Sequence, residues 1–386
     1  MTLIPMTTMS YSATGDPTAN PTLQSLSESV ERRIAVGSVV GAQALIGRRD
    51  ETVFERCFGR ASREDARPVD PDTRFCIGSC SKPAASACVM TTVADGHLDL
   101  DAPIDRWLPE FWRLRIAGDG LAPRAPTVRE TMCHRAGFYS QKHKMSARQR
   151  DLIRDFTQTL DGAVNGMARE DLLSAPGTQY AYSGAGYCVL GRVAEAATGE
   201  SFETLLRQRV CVPLGMSRTT YFPPQADNNI AVGHITTEEE LTVNCQAPHL
   251  LGDRHRFALI GGSLYSTARD MARFARMILN EGRQGDAEVL PRAAWLETIR
   301  RPSPDQAYGL GWGMAFRNGA DRPFRLSHGG ALFSYRSLIA VDLDSGWFAV
   351  ANWTVDETAT PREEDETGNS VEKAVKQALN ALAAAP

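Results

Sequence analysis

The chain lacks most of the features that would assign it to a specialised class. Its eight cysteines, at 57, 76, 80, 88, 133, 188, 211 and 245, contain no C-x-x-C pair. That excludes a zinc ribbon or a compact disulfide framework. They read as reduced, buried, small apolar residues, as in the cytosol. Seven histidines show neither H-x-x-x-H nor H-E-x-x-H spacing, so no metal site is expected. No apolar run is long enough to span a bilayer. Forty-two basic residues against 46 acidic ones leave a net charge of −4, so neither nucleic acid nor an anionic membrane is an expected partner. Residues 1–20 have no basic start followed by an apolar core, so no signal peptide is visible and a cytoplasmic location is expected. No G-x-S-x-G elbow occurs, which sets aside a conventional α/β-hydrolase.

What is present is an ordinary globular composition, 42% apolar and 23% charged over 386 residues. A polar, turn-rich arm at 1–20 precedes a helical stripe at Leu23, Leu26, Val30 and Ile34. Strands are expected over 39–46 and 52–58. A small apolar helix follows from Pro83 to Asp95, and Gly96 stops it. Helices and loops dominate to about residue 255, and another helix is expected over 266–281. Strands return over 338–343 and 347–353, around the Asp344-Ser345-Gly346 turn. Asp342-x-Asp344-x-Gly346 faintly echoes a calcium loop, but the twelfth-position glutamate is missing, so the hairpin is the better reading. Strands at both ends and a helix-rich middle predict an α/β fold of the α+β type. Its central antiparallel sheet is flanked by helices, with an inserted, mainly helical lobe and a cleft between.

Ser79-Cys80-Ser81-Lys82 places a hydroxyl and an amine three residues apart, on one face of the coming helix. A hydroxyl beside a base is the minimum for a nucleophilic serine. The same S-x-x-K spacing recurs at Ser370 to Lys373, where Ser370 reads as the N-cap of a terminal helix. At Ser79 the competing readings are helix cap and nucleophile. Lys82 lies among Cys80, Ala84, Ala85, Ala87 and Val89, surroundings that disfavour its charged form. Pro83 introduces a tension, because a residue before proline is pushed away from helical angles.

Two further segments carry chemistry. In Tyr180-Ala181-Tyr182-Ser183-Gly184, small neighbours leave the Tyr182 phenol exposed for proton transfer. In Ser327-His328-Gly329-Gly330-Ala331, paired glycines in a strand mark a close approach. There the Ala331 N–H can serve as an oxyanion donor beside that of Ser79.

In this order, S-x-x-K, Tyr-x-x and a His-x-Gly box resemble the serine β-lactamase and penicillin-binding superfamily, especially its class C-like branch. Gly96 to Pro103, Cys133 to Gly137, Val212 to Met216, Gly261 to Thr267 and Tyr308 to Gly313 continue the likeness, which covers roughly residues 25 to 355. The resemblance implies one β-lactamase-like catalytic domain over 21–386. Its α/β lobe comprises 21–80 and 260–386, and its mainly helical lobe 81–259. It also implies acylation of Ser79, acid–base work shared by Lys82 and Tyr182, and an oxyanion hole from the Ser79 and Ala331 N–H groups. His328, Gly329 and Gly330 border the cleft in that scheme, and no cofactor is needed.

Two departures narrow the substrate. Gly184 stands where β-lactamases of this branch show asparagine, and His328 stands where they show lysine. Both weaken the case for β-lactams. The expected activity is therefore a carboxylesterase on small esters. An amidase or D-aminopeptidase, or a β-lactamase/DD-peptidase, is the alternative reaction. A non-catalytic binding or assembly protein of the same fold is the alternative of another class. The expected partner is a small-molecule ester or amide, with the oligomeric state open. Loops 139–150 and 234–256 are expected to set specificity. His143, His249, Arg254, His255 and Arg256 are cations that either greet an anionic substrate or are merely solvated.

Overall fold

The computed structural model describes residues 20–64, 66–141, 144–236, 241–243, 247–356 and 370–385. The arm expected at 1–20, apart from Asn20, lies outside the described residues. So do His143, Cys245 and parts of the two specificity loops.

Helix α1 (Pro21–Ala35) starts where the Asn20 side chain accepts from the Thr22 and Leu23 amides. Strands β1 (Val39–Arg48) and β2 (Glu51–Gly59) follow as a hairpin. The sheet is completed from the far end of the chain by β3 (Gly313–Phe316), β4 (Pro323–Leu332), β5 (Tyr335–Asp342) and β6 (Trp347–Val355). The order β3-β4-β5-β6-β1-β2 is antiparallel throughout. The turn into β6 is a hairpin: the Asp342 carboxylate accepts from the Ser345 amide and hydroxyl and from Arg325.

Both sheet faces are covered, so the central strands β5, β6 and β1 are buried along most of their length and mainly apolar on both sides. On β6, Trp347, Ala349, Ala351 and Trp353 pack under α1 and the terminal helix α6 (Val371–Ala384), whose N-cap is Ser370. Phe348 and Val350 face the other way, into the larger core that includes Met271, Phe274 and Ile278 of α5 (Ala268–Leu279). Helix α5 is capped by Thr267, whose hydroxyl accepts from the Asp270 amide. Buried Gln43 ties the layers together. Its amide nitrogen donates to the Asp70 and Thr73 carbonyls, and its oxygen accepts from the Ala268 amide.

The segment that leaves the sheet for the helical region is short and tightly held. Phe75–Cys76 pairs with Tyr265–Ser266, and the Ile77 amide donates to the Leu264 carbonyl. One 3₁₀ turn, Gly78–Cys80, leads into α2 (Ser81–Ala94). Helix α2 begins two residues before the expected Pro83. Proline then occupies the first turn, where its missing N–H costs nothing, so Lys82 is helical despite preceding it. The described cysteines 57, 76, 80, 88, 133, 188 and 211 are all buried free thiols. Among the described residues no helix is long and apolar enough to cross a membrane.

Candidate active site

Ser79 sits half-buried in the 3₁₀ turn, directly after Gly78, whose φ is +49°. That left-handed angle suits glycine, and so does the close packing. A Cβ there would lie 2.5 Å from the Ala331 amide nitrogen. The expected alternative, Ser79 as a helix cap, does not hold, because neither the turn nor α2 has a side-chain cap. The bond back to this turn comes from Ser81 instead, which donates to the Gly78 carbonyl and accepts from the Leu264 amide. Ser79 Oγ is left to meet Lys82 Nζ at 3.2 Å.

Lys82 is 1% exposed, and Nζ also donates to the Gly261 carbonyl at 2.7 Å. Among the described residues no carboxylate is paired with it. Burial drives its pKa down to about 7, so near neutral pH a large share of the amine is uncharged and able to accept a proton. Gly261 has no side chain for a steric reason: a Cβ would come within 3.0 Å of Nζ and 2.9 Å of the Tyr187 Cβ.

Helix α4 (Gly184–Thr198) is capped by Ser183, which accepts from the Gly186 amide and donates to the Tyr139 carbonyl. Tyr182 therefore stands just outside the helix, half-buried, its ring centre 4.6 Å from Lys82 Nζ. His134, Tyr308 and His328 surround that ring at centroid distances of 4.4, 6.1 and 6.2 Å. His134 also accepts from the Ser183 amide through Nδ1 and holds φ at +63°. The sequence pointed to the His134 segment only through the family likeness and did not reveal this supporting role.

Strand β4 passes across the mouth of the turn. A Cβ at Gly330 would lie 2.1 Å from both the Ile77 carbonyl oxygen and Ser337 Oγ, so only glycine allows this approach. Ser337 donates to that carbonyl, and Cys80 Sγ donates to the His328 carbonyl. The next residue, Ala331, is exposed in the cleft with its amide nitrogen against Gly78.

The cleft encloses about 170 Å³ and is lined by Ser79, Lys82, Tyr182 and Ala331, together with Gln141, Gly184, Arg154 and Leu332. His328, Gly329 and Gly330 were expected to border it, and here the expectation is corrected. His328 is buried behind Tyr182. Its Nδ1–H donates to the Gly329 carbonyl at 2.7 Å, and Nε2 accepts from the Tyr308 hydroxyl at 2.9 Å. Burial, then the nearby lysine, lowers its pKa to about 3, so it stays neutral. Gly330 is sealed against the turn, and the open side of Gly329 faces Glu372.

The sequence also did not reveal Gln141. Its carboxamide oxygen accepts from the Gly184 amide at 3.0 Å, and its nitrogen occupies the space that a side chain at 184 would take. The cations named in loop 234–256 are not among the residues lining the cleft. His249 bonds the Tyr265 hydroxyl and His255 packs between Phe156 and Phe222. Burial holds both near a pKa of about 4 and hence uncharged.

Residues 26–370 match the family model described as Beta-lactamase. The esterase EstB of Burkholderia gladioli is 38% identical over 194 residues, 48% of this chain and 47% of the esterase. The chain thus aligns with about half the length of that relative. Two solved structures share the fold. EstCE1, described as a hydrolase with promiscuous acyltransferase activity, has a TM-score of 0.76 at 22% identity, covering 94% of this chain and 98% of its own. The D-amino acid amidase of Ochrobactrum anthropi SV3 has a TM-score of 0.70 at 21% identity, covering 94% and 99%.

Proposed function

The chain belongs to the beta-lactamase family, and from that premise we propose that it is a serine carboxylesterase working through an acyl-enzyme on Ser79. The observation that carries this reading is the buried amine of Lys82, 3.2 Å from Ser79 Oγ and, among the described residues, paired with no carboxylate. Neutral Lys82 takes the hydroxyl proton as Oγ adds to the ester carbonyl. The resulting oxyanion lies between the Ser79 and Ala331 amides, donors that need no reorganisation as charge develops. Collapse expels an alkoxide, which receives a proton from the Lys82–Tyr182 pair and leaves as alcohol. Water then adds to the acyl-enzyme under the same base, releasing acid and restoring the serine.

Preference for esters rests on two departures and one relative. Gly184 offers no carboxamide of its own, His328 offers no positive charge in the cleft, and EstB is an esterase. An ester also asks less of the proton donor than an amide, because its leaving group needs less protonation. An amidase is the second reading, favoured by the Gln141 carboxamide standing where a substrate amide could be met. Kinetics on matched 4-nitrophenyl esters, 4-nitroanilides and a chromogenic cephalosporin separate these readings. Esters should lead by at least a hundredfold in kcat/KM. A nitroanilide or cephalosporin equal to the ester would overturn the assignment. No turnover of any of the three by wild type would favour a binding protein.

A further inference from the structure

Resting on that acyl-enzyme reading, we propose that the preferred acyl group carries a terminal carboxylate and that Arg154 receives it. Among the described residues lining the cleft none is acidic, and Lys82 and Arg154 are the only lysine or arginine. Lys82 is committed to Ser79 and Gly261. Arg154 is the last residue of α3 (Ala147–Arg154) and is exposed. Among the described residues no carboxylate lies within ion-pair distance of it. The neighbouring acid Asp155 accepts through Oδ1 from the Thr157 amide and hydroxyl. A lone arginine in a last helical turn ordinarily serves the helix dipole. This one instead lies with its guanidinium 5.5 Å from the centre of the Phe333 ring.

The platform beneath it is specialised. Phe333 joins β4 to β5 with φ at +47°, an angle that bulky side chains rarely adopt. Its ring meets Phe156 edge-on at 6.3 Å, and the Phe156 carbonyl accepts from the Arg256 and Phe257 amides. A planar guanidinium stacked on a fixed ring keeps its N–H edge free for a carboxylate.

The direction of the substrate follows from where protons are handled. Tyr182 lies beside His328 and Tyr308, at the start of the His-Gly-Gly segment. A leaving group protonated there departs at that end. The acyl portion then runs the other way along β4, past Ala331 and Leu332 toward Phe333 and Arg154. Two residues of strand span about 7 Å, the reach of a short dicarboxylate half-ester. His328 within β4 carries no charge, whereas Arg154 on α3 places one beside Phe333, just past the C-terminal end of that strand.

The test compares mono-4-nitrophenyl glutarate with its neutral methyl diester. Wild type should favour the half-ester by about tenfold in kcat/KM, an advantage carried in KM and shrinking as salt is raised. Arg154→Gln should erase the preference and Arg154→Lys restore part of it. Equal kcat/KM for the two substrates, or a preference unchanged in Arg154→Gln, would overturn the inference. Calorimetric binding of both compounds to Ser79→Ala separates this inference from the reading beneath it. Arg154-dependent binding of the half-ester sustains the carboxylate site whatever the turnover, and equal binding of both compounds removes it. Turnover of the neutral diester that survives Ser79→Ala would sink the acyl-enzyme reading alone.

Discussion

Lys82 Nζ lies closer to the Gly261 carbonyl oxygen, at 2.7 Å, than to Ser79 Oγ, at 3.2 Å. A neutral amine has two N–H donors and one lone pair. One donor held by Gly261 fixes the nitrogen while the lone pair stays available to the serine. Gly261 thus aims the base without holding it in the protonated form, as a carboxylate partner would.

The rate should therefore follow the deprotonation of Lys82. With its pKa drawn down to about 7 by burial, kcat/KM on a neutral short-chain ester should rise with pH through about 7 and level above it. Lys82→Ala should lower kcat/KM by about 10²–10⁴-fold. A profile flat from pH 5.5 to 9 in wild type would remove lysine from the role of base.

The same burial has a stability consequence of definite sign. The folded-state pKa of about 7 lies below the ordinary lysine value of 10.5. Between those values the unfolded chain binds more protons at this group, so its contribution to stability rises with pH across that window. Below pH 7 the penalty is felt in full, and above about 10.5 it vanishes. Lys82→Met should accordingly be more stable than wild type at pH 7, by a few kcal/mol at most, with the difference shrinking toward pH 10. Denaturant titrations of both proteins at the two pH values measure it, and a constant difference would refute it.

Adjacent glycines in β4 should respond in opposite ways. At Gly330 a methyl group meets backbone and hydroxyl oxygens at 2.1 Å, whereas at Gly329 the nearest atom is a Glu372 carboxylate oxygen at 3.7 Å. Gly330→Ala should destabilise by about 1–3 kcal/mol and displace Ala331, with a large loss of activity. Gly329→Ala should be close to neutral in both. Thermal melts and ester kinetics on the pair decide the matter.

Much of this site was legible because it depends on local chain chemistry. S-x-x-K spacing on a helix brings Ser79 and Lys82 together whatever the tertiary fold. Alternation and turn residues gave the β5–β6 hairpin, and Ser370 was readable as a cap. What stayed hidden depends on contacts distant in sequence. Gln141 reaches Gly184 from another loop, and Arg154 meets Phe333 across the cleft. His328 was expected at the cleft. Residues alternate sides along a strand, but sequence does not say which side another element covers, and Tyr182 with Tyr308 covers this one.

Gln141 and Gly184 form one unit that can be exchanged. Gly184→Asn alone drives its Cβ to 2.1 Å from the Gln141 amide nitrogen, so that side chain must swing away. Combined with Gln141→Ala, the asparagine gains space and the Tyr-x-Asn pattern is restored. The double variant should acylate faster with a chromogenic cephalosporin than either single variant. A double variant no faster than Gly184→Asn would show that this pair does not govern β-lactam recognition.

The central claim, that Ser79 is the acylated nucleophile, is tested most directly by intact-mass and peptide mapping after treatment with a fluorophosphonate probe. Wild type should gain a single adduct on the peptide containing Ser79, in step with loss of ester hydrolysis, and Ser79→Ala should gain none. An adduct that persists in Ser79→Ala, or ester hydrolysis that survives full labelling of Ser79, would contradict the account.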